Sequence, residues 1–323
     1  MSSNASAAGH LRTGLVVAGY GRHCVVETDD GQRLICHPRG KKSEVLVGDR
    51  VRWQPSTDEG TIQSIDPRRN LFWRQDELRS KAFAANLDQV LILLAANPVF
   101  SESQLARALI AAEAQQITPL IGLNKQDLIV PFAAAWQRLA PYAAMRYEVL
   151  PLALTDAADS GAAHLRERLD GQVTLVLGPS GTGKSTLTNR FAPGAAAATR
   201  ETSKALNSGK HTTTSTTLYW LDAERRSALI DSPGFQEFGL AHIDPMQLAQ
   251  LMPDLAPLTK HCRFHNCTHR HEPGCELVTA VAVQQTADPA NAHKSGIDPG
   301  PSIIGRYKIY CDLFTELSQP KTY

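Results

Sequence analysis

Nowhere in the 323 residues does an apolar run approach the roughly 18 residues that a membrane span requires. The first ten residues, MSSNASAAGH, lack both the basic start and the apolar stretch of a secretory leader. A cytoplasmic protein with a disordered tail over residues 1–10 is therefore expected. Cysteine is scarce, with six residues in all, too few in such a compartment to read as a disulfide framework. Charge of one sign is also lacking: 33 Lys+Arg against 32 Asp+Glu leave a net charge of +1. Overall electrostatics thus neither demand nor exclude a nucleic-acid partner, and any such surface has to be local.

What is present is the composition of a soluble globular protein, 42% hydrophobic and 20% charged. The length exceeds that of a usual single domain, so two or three cores are expected. From Leu11 to about residue 75, short apolar runs (GLVVAGYG, HCVVETDDGQRLICHP, EVLVGDRVRWQP, EGTIQSIDP) are broken by turns such as DDG and VGD, the pattern of a small β-barrel. Within it Arg39, Lys41, Lys42, Arg50, Arg52, Arg68, Arg69 and Arg74 are interspersed with Trp53, Phe72 and Trp73. Such a mix suits RNA, although core aromatics under a solvated surface would look the same. Over residues 84–243, apolar strands alternate with amphipathic helices, which predicts a mostly parallel α/β sheet. Residues 244–323 lose that rhythm and read as a third, small domain, in which TADPANAHKSGIDPGPS forms a long loop before a last helix, RYKIYCDLFTEL.

The strand QVTLVL runs into Gly178-Pro179-Ser180-Gly181-Thr182-Gly183-Lys184-Ser185 and then a helix, the context that makes GxxxxGK[ST] credible as a phosphate-binding loop. Backbone N–H groups wrap the phosphates at the helix N-terminus, Lys184 neutralises the β- and γ-phosphate oxygens, and Ser185 coordinates Mg²⁺. We take Gly178 to Ser185, with Thr186 behind them, as nucleotide-binding and Lys184 as catalytic as well. Asn124-Lys125-Gln126-Asp127 follows the strand ITPLIGL and fits NKxD. Asp127 can accept from N1–H and the exocyclic amine of guanine, a pair that adenine does not offer, and a site left with an unpaired acceptor rejects the wrong base strongly. Asn124 would tie this loop to the phosphate loop, with the Lys125 stem covering the base.

Asp231-Ser232-Pro233-Gly234 ends the strand SALI and fits DxPG, with Asp231 reaching Mg²⁺ through water and the Gly234 N–H sensing the γ-phosphate. Between the two motifs lies Gly209-Lys210-His211-Thr212-Thr213-Thr214, placed as the mobile threonine loop of a GTPase. One of the three threonines is the expected Mg²⁺ ligand, and the sequence does not say which. The residue after DSPG is the apolar Phe235, with Gln236 one place later, so the group that orients the attacking water is open. His211 is our candidate, against Gln236 or a group supplied by a partner.

Cys262-x4-Cys267-x-His269-x5-Cys275 gathers three thiolates and an imidazole, a complete tetrahedral set for one structural Zn²⁺ with no position left for catalysis. His261, His265 and His271 lie nearby, so spacing alone does not single out His269.

A conventional GTPase runs from phosphate loop to threonine loop, DxxG and NKxD, whereas here NKQD precedes the phosphate loop. The order is circularly permuted. With the stretches VGDRVRW, AANLDQVLIL, GLNKQDL, GPSGTGKSTLTN, GKHTTT, DSPGF, CRFHNCTHRHEPGC and RYKIY, the chain from about residue 11 onward resembles the bacterial ribosome small-subunit-dependent GTPase A family. The resemblance implies an α/β P-loop GTPase domain, circularly permuted, with an N-terminal OB-type β-barrel and a small C-terminal α-helical zinc-binding domain. It also implies His269 as the fourth zinc ligand. The expected protein is a monomeric cytoplasmic enzyme that hydrolyses GTP with Mg²⁺. It acts late in assembly of the small (30S) subunit, contacts rRNA through barrel and zinc domain, and is stimulated by the subunit. Two features depart from the pattern. Ala153-Leu154-Thr155 stands about where a guanine-contacting loop is expected, so no residue is assigned that contact, and the loop before the last helix is longer than expected. Two other functions fit parts of the sequence: a nucleotide-regulated RNA-binding scaffold with negligible turnover, and a P-loop ATPase or kinase that happens to carry NKQD.

Overall fold

Strand β8 (Gln89–Ala95, QVLILLA) is buried at all seven positions, which requires a central strand with both faces covered. The computed structural model, which describes residues 11–39, 45–56, 59–75, 80–193, 195, 215–234, 238–286 and 303–319, places it accordingly. β8 pairs in parallel with β9 (Thr118–Asn124) on one side and β11 (Val173–Leu177) on the other. β10 (Glu148–Pro151) extends the sheet beyond β9, and β13 (Ala228–Asp231) lies parallel to β11. Val90, Ile92 and Leu94 share one core with Leu105, Ala108, Leu109 and Ala112 of helix α1 (Glu102–Ala114) and with Ala135 and Leu139 of α2 (Ile129–Ala144). Leu91 and Leu93 point to the other face, against Leu165 and Leu169 of α3 (Ser160–Leu169) and Leu187 and Phe191 of α4 (Lys184–Phe191). The period-2 alternation of one apolar run thus serves two helical layers.

The N-terminal strands β1 (Arg12–Tyr20), β2 (His23–Glu27), β3 (Arg33–Pro38), β4 (Arg50–Pro55) and β5 (Gly60–Ile65) form a five-stranded barrel closed by pairing of β1 with β4. Val16, Cys24, Val26, Cys36, Val51, Trp53 and Ile62 fill it. The barrel does not hang from a linker. β12 (Thr216–Trp220), antiparallel to β13, also pairs with β1 through Ala18↔Thr217 and Gly19↔Thr216, so sheet and barrel are one continuous ladder. Glu27, buried at this seam, accepts from Trp220 Nε1 (2.7 Å) and Arg33 Nε (2.7 Å), with Arg225 Nη1 at 3.4 Å. β6 (Leu71–Gln75) and β7 (Ser80–Ala85) form a separate two-stranded sheet, bridged at Gln75 to Leu240, with Phe83 stacked on Phe238 and Phe72 tilted against it.

Beyond the sheet come a 3-10 helix (Pro245–Leu251), a single turn (Ala256–Thr259), α5 (Glu276–Thr286) and α6 (Ile304–Leu317). Leu277, Tyr310, Leu313 and Phe314 join the core that covers the α1 face of the sheet. Arg306, 4% exposed, donates to Asp254 (3.1 Å) and lies over the Tyr142 ring. Removing one member of a buried ion pair strands the other, so Arg306→Ala is expected to lower stability by about 3–5 kcal/mol. Urea unfolding of the variant beside Asp254→Asn measures it, and a loss below 1 kcal/mol, roughly the worth of an exposed pair, would contradict the reading.

Candidate nucleotide site and metal centre

The phosphate loop joins β11 to α4 and turns through two glycines in left-handed conformations, Gly181 (φ +81°) and Gly183 (φ +104°), where a side chain would strain the backbone. Lys184 opens α4 and folds back over the loop, its Nζ donating to the carbonyls of Gly178 and Pro179 (2.8 Å each). Asp231, at the end of the adjacent β13, is 7% exposed. Burial pushes its carboxyl up to about 6, opposed by the Lys184 cation, while burial depresses the Lys184 ammonium and Asp231 supports it. Gly234 lies so close over the loop that a Cβ there would stand 3.1 Å from Lys184 Nζ. Asp231 Oδ1 is buried with no hydrogen-bond partner among the described residues. An orphaned carboxylate oxygen at the end of β13 and an exposed Ser185 hydroxyl in the first turn of α4 are donors that suit a hard divalent cation such as Mg²⁺.

Asn124 ends β9, next to the phosphate loop. Its Nδ2 donates to Thr182 O (2.9 Å) and its Oδ1 accepts from Leu154 N–H (3.1 Å). Lys125 adopts a left-handed conformation (φ +68°) and its Nζ reaches Asn97 O, while Asp127 stays exposed. One amide thus fastens the NKQD loop, the Gly178–Ser185 loop and the β10–α3 loop together. Its loss leaves buried polar groups unpaired, so Asn124→Ala is expected to weaken GDP binding about ten- to a hundredfold. Calorimetric titration reads this, and an unchanged dissociation constant would refute it. His211, Thr212, Thr213, Thr214 and Gln236 lie outside the described residues, as do residues 1–10, Lys41, Lys42 and most of the long loop, 287–302.

Cys262, Cys267, His269 and Cys275 bring their ligand atoms within 4.8 Å of one another, whereas His261, His265 and His271 stay outside the group. Cys262 Sγ lies 3.8 Å from Cys275 Sγ and 3.3 Å from His269 Nδ1, and Cys275 Sγ is 3.6 Å from that nitrogen. A tetrahedral Zn²⁺ bonded to sulfur and nitrogen would space its ligand atoms about 3.3–3.8 Å apart. The residues therefore fit zinc. Glu272 organises the loop by accepting from Thr268 N–H (2.7 Å) and Arg270 N–H (3.1 Å). From α6, Tyr307 and Tyr310 donate to the carbonyls of His269 (2.9 Å) and Thr268 (2.8 Å). Neither glutamate nor tyrosines could be picked from spacing.

A sequence model described as RsgA GTPase matches residues 65–241, more than half the chain. The chain is 62% identical over 311 residues to the "Small ribosomal subunit biogenesis GTPase RsgA" of Variovorax paradoxus (strain S110), covering 96% of this chain and 94% of that protein. This chain belongs to the RsgA GTPase family. The protein of the same name from Burkholderia pseudomallei (strain K96243) is 54% identical over 280 residues, covering 86% of this chain and 88% of that one. Among solved structures, YjeQ from Thermotoga maritima superposes with a TM-score of 0.69 at 26% identity, covering 96% of this chain and all of the other. YloQ, described as a circularly permuted GTPase, superposes at 0.65 with 23% identity over the full length of both chains, a likeness of fold. The α/β domain, barrel and Cys/His region observed here are those expected from the sequence.

The structure corrects the barrel aromatics. Trp53 (1% exposed) and Phe72 (0%) are core residues, and Trp73 stacks on His242, so Trp53 and Phe72 offer no stacking surface. Several cations are also engaged: Arg68 grips the buried Asp49, Arg52 pairs with Asp66 and Arg69 with Asp88. Arg39 and Arg50 remain exposed on the barrel, as does Arg12.

Proposed function

We propose that this protein hydrolyses GTP to GDP and phosphate during maturation of the small (30S) ribosomal subunit, and that the subunit stimulates the step. The observation that carries the reading is the convergence of three separated motifs: Asn124 bonded to the phosphate loop, with Lys184, Asp231 and Gly234 packed around it. In this reading Gly178 to Thr186 bind the phosphates and Asp127 reads the guanine edge, flanked by Lys125. Lys184 trades its two carbonyl partners for phosphate oxygens and stabilises the charge that builds up on the transferred group. When bound, Mg²⁺ neutralises phosphate charge, and Ser185 and Asp231 are the residues that would hold it. His211 orients the attacking water.

The names of the relatives point to the subunit as partner. Barrel and zinc region are the proposed rRNA contacts. Exposed Arg12, Arg39 and Arg50 support the first, and exposed Phe264 with Arg263 over its ring (5.4 Å) supports the second. The proposed units are 11–75, 84–243 and 244–323, in a cytoplasmic monomer.

The test is GTP hydrolysis with and without purified small subunits, with ATP as competitor. Stimulation indifferent to ATP supports the reading. GTP binding without stimulated turnover would replace it by a nucleotide-regulated scaffold, and preference for ATP would end it. Loss of a water-orienting imidazole should lower stimulated turnover by about a hundredfold in His211→Ala. An unchanged rate would remove His211 from the mechanism.

A further inference from the structure

Arg190, in the last turn of the phosphate-loop helix α4, turns away from its own helix and onto the loop that joins β10 to α3. Its Nη1 is shared among the carbonyls of Asp156 (2.6 Å), Leu154 (3.1 Å) and Ala153 (3.4 Å), and Nη2 donates to that of Ala157 (3.5 Å). Asp159 Oδ2 stands 3.8 Å from Nη1 and accepts from Ala153 N–H (2.9 Å), while Oδ1 caps α3 through Gly161 N–H (2.9 Å). From the opposite side Asn124 Oδ1 holds Leu154 N–H. A loop of mostly small residues is thus clamped between the helix that starts at the phosphate loop and the segment that ends in Asp127.

The clamp sets the direction of one donor. In a trans peptide the C=O and N–H point to opposite sides. With the Leu154 carbonyl drawn to Arg190, the Thr155 N–H of the same peptide unit faces away from it. Thr155 is exposed, and its N–H makes no hydrogen bond among the described residues. Guanine carries an acceptor oxygen at C6, where adenine carries an amine donor, so a fixed outward N–H discriminates between them. A bare loop could rotate that peptide and lose the preference.

We propose that Arg190 is a positioning residue for purine selection, holding the Ala153–Ala157 backbone so that the Thr155 N–H is presented to the 6-oxo group of a guanine nucleotide. This rests on the guanine-nucleotide site proposed above. Arg190 touches neither base nor phosphate, and its effect passes through the loop.

The experiment compares GDP with 6-thio-GDP, which keeps N1–H and the 2-amino group that Asp127 reads but replaces the C6 oxygen by a poor acceptor. Wild-type protein is expected to prefer GDP by about tenfold, the worth of one hydrogen bond. In Arg190→Met, which keeps the apolar stem, GDP affinity falls by about tenfold, 6-thio-GDP affinity by less than about threefold, and the preference collapses. In turnover the loss appears in KM for GTP rather than in kcat. Arg190→Lys, a point donor without the fork, keeps part of the preference and serves if the methionine variant melts early. Equal losses for the two nucleotides would reduce Arg190 to a support of α4 and overturn the proposal, as would wild-type protein that binds both alike. Failure of wild-type protein to bind any guanine nucleotide would instead overturn the site reading beneath it.

Discussion

Lys184→Ala is expected to lower GTP turnover by at least about a thousandfold while leaving the protein folded. Lys184 opens α4, and its half-buried ammonium lies between the phosphate-loop carbonyls and Asp231. It satisfies those carbonyls here; in the proposed nucleotide complex it is the positive group that meets charge on the β- and γ-phosphate oxygens. Burial makes that charge worth more than it would be in water, so no solvent cation replaces it. Stability should change far less than turnover, because the desolvation cost of the lysine disappears together with its hydrogen bonds. Single-turnover phosphate release and thermal melting, with and without small subunits, separate the two effects. Turnover within twofold of wild type would remove Lys184 from the mechanism, and collapse of the melting transition would make it a structural residue.

Loss of the metal is expected to unfold the C-terminal region and spare the nucleotide site. Binding of a structural zinc is worth about 10–16 kcal/mol in isolated zinc peptides, comparable to the whole stability of a domain. Here the four ligands hold a loop that α6 contacts through Tyr307 and Tyr310, and α6 in turn meets the sheet side through Arg107 and Glu316. Cys275→Ala should purify without zinc, lose helical circular dichroism and admit protease beyond about residue 243. The phosphate loop draws nothing from this region among the described contacts, so GDP affinity should stay within about threefold of wild type. Protein purified under reducing conditions without zinc, and a variant melting with wild type, would show that these thiols are only buried cysteines.

The motifs proposed to bind nucleotide are legible in the chain because each is local. A glycine turn ahead of a helix, or an aspartate ending a strand, needs only a few consecutive residues to set its backbone. The candidate zinc ligands, within fourteen residues, are nearly so, and only the folded loop brings His269 rather than the three additional histidines to the cysteines. Barrel composition was more ambiguous. Cations beside aromatics describe an RNA-binding face and a core under a charged skin equally well, and the burial of Trp53 and Phe72 settles which these are.

The sequence by itself determined the classes of element, the permuted order and the chemistry proposed for each motif, since residue type and short spacing carry that information. Only the tertiary structure decided that the tie expected from Asn124 runs to the Thr182 carbonyl, that Arg190 reaches back to the β10–α3 loop and that β1 pairs with β12. These contacts join residues brought together by the packing of a whole sheet, and a buried amide or guanidinium leaves no periodic trace along the chain. What each such side chain does depends on which backbone carbonyl the fold delivers to it.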